Sequence, residues 1–143
     1  MEATERHLVH EFFLDRLGLH WSEDFRGVLH VPKAYESAKA DMDHVAVAVA
    51  YNGFVGRSCC MHVVIQKPEA LTPRIVRDAF VFPFERCGLE AVIGMVDSNN
   101  DAALEFDRRL GFTEIARIPN GGIDADLVVL RMLRSECRWL RPH

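Results

Sequence analysis

The chain has 143 residues, with a hydrophobic fraction of 49% and a charged fraction of 27%, the make-up of one globular domain that can bury a core without disulfide or metal staples. Its formal net charge is −4 and it has no block of Lys and Arg, which argues against a nucleic-acid binder, because neutralising phosphates takes a basic stripe. Residues 1–19 mix charged with apolar side chains and no stretch is apolar for long enough to span a bilayer, so neither a secretory leader nor a membrane contact is expected and the chain reads as cytoplasmic.

Thr4 to Leu17 is expected to be a helix. Thr4 suits the N-cap, Glu5 the positive end and Gly18 the stop, while Leu8, Val9, Phe12, Phe13 and Leu17 recur at helical spacing. Gly27 to Val31 reads as a short strand ended by Pro32. Val45, Val47 and Val49 alternate with alanines, as in a strand covered on both faces. Asn52-Gly53 is expected to form a tight hairpin turn, since both tolerate positive φ. A second strand follows from Phe54 to Ile65, with Gly56 either a bulge or a break.

A loop over Gln66 to Leu71 leads into a helix capped by Thr72, with Pro73 at its first position, where a missing N–H costs nothing. Val76, Ala79, Phe80 and Phe84 form its apolar stripe, Pro83 kinks its last turn and Gly88 ends it. Ala91 to Val96 reads as a central strand. Asp97-Ser98-Asn99-Asn100 then caps a helix from Asp101 to Leu110, stopped by Gly111, with Ala103, Phe106 and Leu110 on its buried side. The tail is expected to be a hairpin, Phe112 to Ile118 and Asp126 to Leu133, turning at Pro119-Asn120-Gly121-Gly122. This order predicts a single α/β domain with a mixed, mostly antiparallel sheet and helices on both faces.

The four cysteines, Cys59, Cys60, Cys87 and Cys137, lack C-x-x-C spacing, and neighbours on a strand point to opposite faces. A zinc site from Cys59, Cys60 and His62 needs a strained turn, so buried, reduced thiols are the expectation and no metal is. A capped helix start after a strand is itself an anion site: its first N–H groups lack partners and sum to about half a positive charge. Arg74 on the first turn reinforces it. Most such helix starts in α/β proteins bind only water.

Asn100, Ala103 and the Gly111-Phe112 pair together resemble a pattern of the GNAT N-acyltransferase superfamily. The likeness runs over roughly residues 45–140. Met61-His62-Val63, Phe82-Pro83-Phe84 and Glu136-Cys137-Arg138-Trp139-Leu140 resemble a small, largely phage-encoded branch of it, while the first forty residues look like a reduced version of the usual first strand and two helices. The resemblance implies acetyl-CoA as co-substrate, with its pantetheine arm beside Val63, Val64 and Ile65 and beside Asn100, Ala103 and Asp107. It implies a pyrophosphate cradle of the amides of Leu71, Thr72, Arg74 and Ile75. Pro68 to Arg74 carries none of the glycines usual in that cradle. Asp107 stands where many such enzymes have a Tyr that protonates the departing CoA thiolate. An ionised Asp donates no proton unless burial raises its pKa, and an ordinary solvated helix residue is the bland alternative.

Acyl transfer to an amine needs alignment, an oxyanion donor and a base of near-neutral pKa. On the strand leading to the cradle, the only titratable side chain of suitable pKa is His62. It reads equally as a hydrogen-bonded core histidine. Tyr51 and Asn52 at a hairpin tip, or Ser98 and Asn99, offer substrate contacts or plain turn and capping roles. Trp21 and Trp139 suit either an interface or the rim of a core. The acceptor implied is a small-molecule or peptide amine, and the apolar tail leaves a homodimer open. Two alternatives stand beside the transferase: an inactive GNAT-like module that binds CoA, and an interaction protein using the scaffold as a surface.

Overall fold

The computed structural model describes residues 2–3, 6–33 and 42–140. The elements run β1 (Glu2–Ala3), α1 (Arg6–Leu17), β2 (Arg26–His30), β3 (Val47–Val55), β4 (Ser58–Ile65), α2 (Pro73–Val81), β5 (Ala91–Asp97), α3 (Asp101–Leu110), β6 (Thr113–Ile118) and β7 (Leu127–Leu133). The sheet order is β1-β2-β3-β4-β5-β7-β6. Its β4–β5 pair is parallel, whereas β1–β2, β2–β3, β5–β7 and β6–β7 are antiparallel. The mixed, mostly antiparallel α/β sheet expected from the sequence is therefore present. The expected caps Thr4 and Glu5 lie outside the described residues.

The chain forms two compact units, Met1–Phe54 with Met61–Ala79, and Val55–Cys60 with Phe80–His143. In the first, α1 packs on β2 through Val9, Phe12 and Phe13, all buried with Phe25, Leu29 and Ala48. Gly27 makes that approach possible: a Cβ there would stand 2.6 Å from Val9 Cγ1 and 2.8 Å from the Val49 carbonyl oxygen. Leu8 and Leu17, expected on the buried face of α1, are exposed instead. Gly18 ends the helix at φ +66°, its N–H donating to the Leu14 carbonyl at 2.9 Å. A two-residue strand, β1, precedes α1 and was not apparent in the sequence.

β3 is buried continuously from Val47 to Tyr51, as the alternating valines and alanines suggested. The hairpin turn is not at Asn52-Gly53. Both residues lie inside β3, and the chain reverses at Gly56-Arg57. Gly53 and Gly56 both take positive φ, +62° and +58°, so local preference suits either place. What holds the strand extended past residue 53 is non-local: the Tyr51 hydroxyl donates to the Ala79 carbonyl, and the Phe54 N–H donates to Asp24 Oδ2 at 2.8 Å.

The second unit carries the three-residue β4–β5 ladder (Ser58–Ala91, Cys59–Val92, Cys60–Ile93), then β5–β7–β6. Phe80 stacks on Phe84 and tilts against Phe112, and all three are buried with Leu104, Leu110, Val128, Leu130 and Met132. Pro83 falls in a π-helical turn, Phe82–Arg86, rather than in a simple kink. The buried side of α3 is Leu104 and Leu110, with Ala103 and Phe106 only half-buried. β6 is exposed along its whole length, as an edge strand. Trp139 closes the end of α3, its Nε1–H donating to the Leu110 carbonyl at 2.8 Å. Of the cysteines expected to be buried, Cys59 and Cys137 are, whereas Cys60 is half-buried and Cys87 is exposed. Among the described residues no helix is long and apolar enough to cross a membrane.

Candidate functional site

In the first unit the loop into α2 is tied down before the helix begins. The Gln66 and Lys67 N–H groups both donate to the Ala46 carbonyl. Gln66 Oε1 accepts from Arg16 Nε at 2.7 Å, and its Nε2 donates to the carbonyls of Met42 and Val45. Thr72 caps α2 as expected, its Oγ1 accepting from the Ile75 N–H at 3.2 Å.

That cap narrows the expected anion cradle. The Ile75 N–H is engaged by Thr72, and the Leu71 N–H donates to the Pro68 carbonyl at 3.1 Å. Neither is therefore a spare donor, contrary to expectation. No described bond uses the N–H of Thr72 or of Arg74, and both residues are exposed at the positive end of the helix. Of the four amides expected there, those of Thr72 and Arg74 are left, beside the Arg74 side chain. Val63, Val64 and Ile65 form the half-buried end of β4, with the Val64 side chain packed against the core under α1.

His62 Nε2 lies 2.8 Å from Asn52 Oδ1. An amide oxygen only accepts, so Nε2 carries the proton and the lone pair is on Nδ1, given this orientation of the amide. Burial pushes the imidazole down to about 4, because a ring withdrawn from water disfavours its cation. The near-neutral pKa expected of His62 is thus not found. Its free nitrogen is unprotonated throughout the physiological range, as a weaker base than anticipated. Tyr51 and Asn52 do not line a hairpin tip; their polar atoms are turned to Ala79 and His62.

In the second unit Asn100 is the N-cap of α3, its side chain accepting from the Ala103 N–H at 3.2 Å, and Gly111 ends the helix at φ +118°. The Asn100 oxygen and the Ala103 N–H are both used in that bond. Ser98 joins β5 to the start of β7, exchanging bonds with the N–H and carbonyl of Asp126.

Asp107 is not an ordinary solvated residue. It is half-buried against β5, with Oδ2 3.3 Å from where a Cβ on Gly94 would stand, beside the Phe112 ring. Burial raises its carboxyl to about 6. Gly94 makes room for this carboxyl and was not singled out from sequence, although a glycine inside an apolar strand marks such an approach. Gly94 also follows Ile93, the last residue of the β4–β5 ladder.

The two shifted groups bear on stability with opposite signs. Asp107 binds its proton more tightly folded than unfolded, so its contribution is full below the unfolded pKa of about 3.9 and is lost as pH rises through about 6. His62 binds its proton less tightly folded, so stability is lost as pH falls from about 6.5 toward 4. Between pH 4 and 6 the two offset one another. Asp107→Asn keeps the neutral shape without the proton, so it stabilises the protein by about 2–3 kcal/mol at pH 7–8 and has little effect at pH 4 or below. Urea unfolding of both proteins at pH 4, 5, 6 and 7 checks this, and a difference independent of pH contradicts it.

No family model and no curated protein sequence matches the chain. Solved structures do. The spermidine/spermine N-acetyltransferase SpeG from Vibrio cholerae, in complex with manganese ions, superposes with a TM-score of 0.72 at 12% identity, over 94% of this chain and 92% of that one. A point mutant of SpeG from the same organism gives 0.74 at 13% identity over 99% and 96%. A chimera of SpeG with hSSAT gives 0.70 at 14% identity, over 99% of both chains. These enzymes belong to the GNAT superfamily, and the chain shares their fold along nearly its whole length. The likeness gives no support to a phage-type branch.

Proposed function

We propose that the chain is an acyl-CoA-dependent N-acyltransferase acting as one GNAT-like domain, which moves acetyl from acetyl-CoA to a primary amine by direct attack. The carrying observation is likeness in fold to N-acetyltransferases over up to 99% of both chains, which no partial motif match could supply. The structures it resembles act on spermidine, which supports a small-molecule amine as acceptor.

The reaction begins with loss of a proton from the acceptor ammonium, for which Nδ1 of His62 is the base, directly or through water. The amine nitrogen bonds to the thioester carbonyl carbon, the C–S bond breaks, and the second proton passes from the nitrogen to solvent water. CoA departs as a thiolate, protonated by the Asp107 carboxyl; at about 6 that pKa leaves roughly a tenth of it protonated at pH 7. The amides of Thr72 and Arg74, with the Arg74 guanidinium, receive the pyrophosphate. Val63, Val64 and Ile65 offer β4 backbone to the pantetheine amides, and Asn100 and Ala103 open the helix that carries Asp107.

Thermal unfolding with millimolar acetyl-CoA, CoA and ADP tests the binding half. A ligand at a hundred times its Kd adds about 2.7 kcal/mol, several degrees for this size. Release of free thiol from acetyl-CoA in the presence of an amine tests the chemistry. A shift without turnover leaves the inactive CoA-binding module, and no shift at saturation overturns the proposal.

A further inference from the structure

Asn52 and His62 are both half-buried, with Nε2 of the ring 2.8 Å from Oδ1 of the amide. A regular hairpin does not bring them together. The chain reverses at Gly56-Arg57, between Val55 and Ser58. In an unbroken ladder closed by that two-residue turn, Met61 faces Asn52 and His62 faces Tyr51. Strand alternation then sends the Asn52 and His62 side chains to opposite faces. Gly53 is where this alternation can break: its φ of +62° is the left-handed conformation by which a glycine bulge re-aims a neighbouring side chain.

The strand is pinned on both sides of that point. The Tyr51 hydroxyl donates to the Ala79 carbonyl, and the Phe54 N–H donates to Asp24 Oδ2 at 2.8 Å. The other oxygen of Asp24 accepts from the Ser22 hydroxyl at 2.6 Å. Asn52 is therefore held from both ends. A neutral imidazole carries its proton on one nitrogen or the other, and an acceptor on Nε2 settles which. Among the described residues Nδ1 has no hydrogen-bond partner. The acceptor is an amide and not a carboxylate, so it orients the ring without the charge that stabilises an imidazolium. No ionised neighbour contributes to the lowered pKa of the ring, of which burial is the cause.

We infer that Asn52 is a positioning residue for the step that deprotonates the acceptor: it holds His62 as the Nε2–H tautomer and so leaves Nδ1 bare for the ammonium proton. The inference rests on the acyltransferase reading, in which His62 is the base. While Nδ1 holds that proton the ring is a cation, and its bond from Nε2 to Oδ1 is charge-assisted. The proton then passes from Nδ1 to water, and the ring returns to the same tautomer.

The 15N chemical shifts of the His62 ring and the kinetics of acetyl-CoA turnover test this together. The proteins are the wild type, Asn52→Leu, Asn52→Asp, His62→Gln and the double variant Asn52→Leu with His62→Gln. The wild-type ring is expected to show a protonated Nε2 and a bare Nδ1 from pH 7 down to about pH 5. A proton on Nδ1 instead, as when the amide is turned the other way, overturns the inference. Asn52→Leu lowers kcat roughly tenfold, a part of the base's own weight, and leaves KM for acetyl-CoA within about threefold. Added to His62→Gln it costs less than about twofold more, since its effect runs through the ring. Asn52→Asp keeps an acceptor on Nε2 and covers the case of a leucine variant that does not fold. It restores most of kcat, and the acid limb of kcat/KM rises with the NMR titration of the ring by about one pH unit or more. Wild-type kcat in Asn52→Leu, or the same tenfold loss in the His62→Gln background, overturns the inference while leaving the transferase standing. Absence of both an acetyl-CoA thermal shift and turnover in the wild type overturns the two together.

Discussion

Replacing His62 with glutamine lowers kcat for acetyl transfer by roughly 10²-fold, the lower end of a positioned general base's weight, because an imidazole held at about 4 is a weak base at neutral pH. Glutamine is similar in length and keeps a donor for Asn52 Oδ1, 2.8 Å from the imidazole in the native chain, so the pocket is disturbed little. The pH profile adds a second check. With the imidazole held at about 4, the acid limb of kcat/KM assigned to His62 falls near pH 4 rather than near 6.5. Steady-state kinetics from pH 4 to 8 on both proteins measures both effects. A glutamine variant within threefold of wild type removes His62 from the chemistry and leaves it as a hydrogen-bonded core histidine.

Phe80→Ala costs about 3–5 kcal/mol of stability. Phe80 is 1% exposed and contacts two other buried rings, Phe84 and Phe112, at centroid distances of 6.2 and 6.1 Å. Removing it leaves a cavity between rings anchored elsewhere: Phe84 by the Arg134 guanidinium on its carbonyl, Phe112 by its N–H on the Asp107 carbonyl. Neighbours held in this way collapse poorly into the gap, which puts the cost toward the upper end. Urea denaturation at fixed pH gives the number, and a loss under about 1 kcal/mol means the cluster repacks. Phe112 flanks Asp107, so partial collapse here also changes how deeply that carboxyl is buried and moves its pKa toward the ordinary carboxylate value.

The caps were legible in the sequence because each is a local event. Thr72 reaches the N–H of Ile75 and Asn100 that of Ala103, three residues on, while Gly18 and Gly111 take a positive φ at the residue that needs it. Sterics and short-range hydrogen bonds decide such features, and they are written in neighbouring residues. The burial of Val47 to Tyr51 was legible for a similar reason, since a run of valines and alanines has no polar face to expose.

The turn between β3 and β4 was not decided locally, because two Gly-containing pairs suit it. Bonds from Tyr51 to Ala79 and from Phe54 to Asp24, 28 and 30 residues apart, select Gly56-Arg57. The properties that bear on chemistry belong to the same non-local class. The pKa of His62, the room that Gly94 leaves for Asp107 and the burial of Arg131 Nε all depend on which distant atoms exclude water. Desolvation sums over every neighbour in space, whereas a helix cap depends on three consecutive peptide units. The sequence by itself therefore determined the order of the main elements and the ends of the capped helices; only the tertiary structure decided where β3 turns into β4 and which side chains keep their charge.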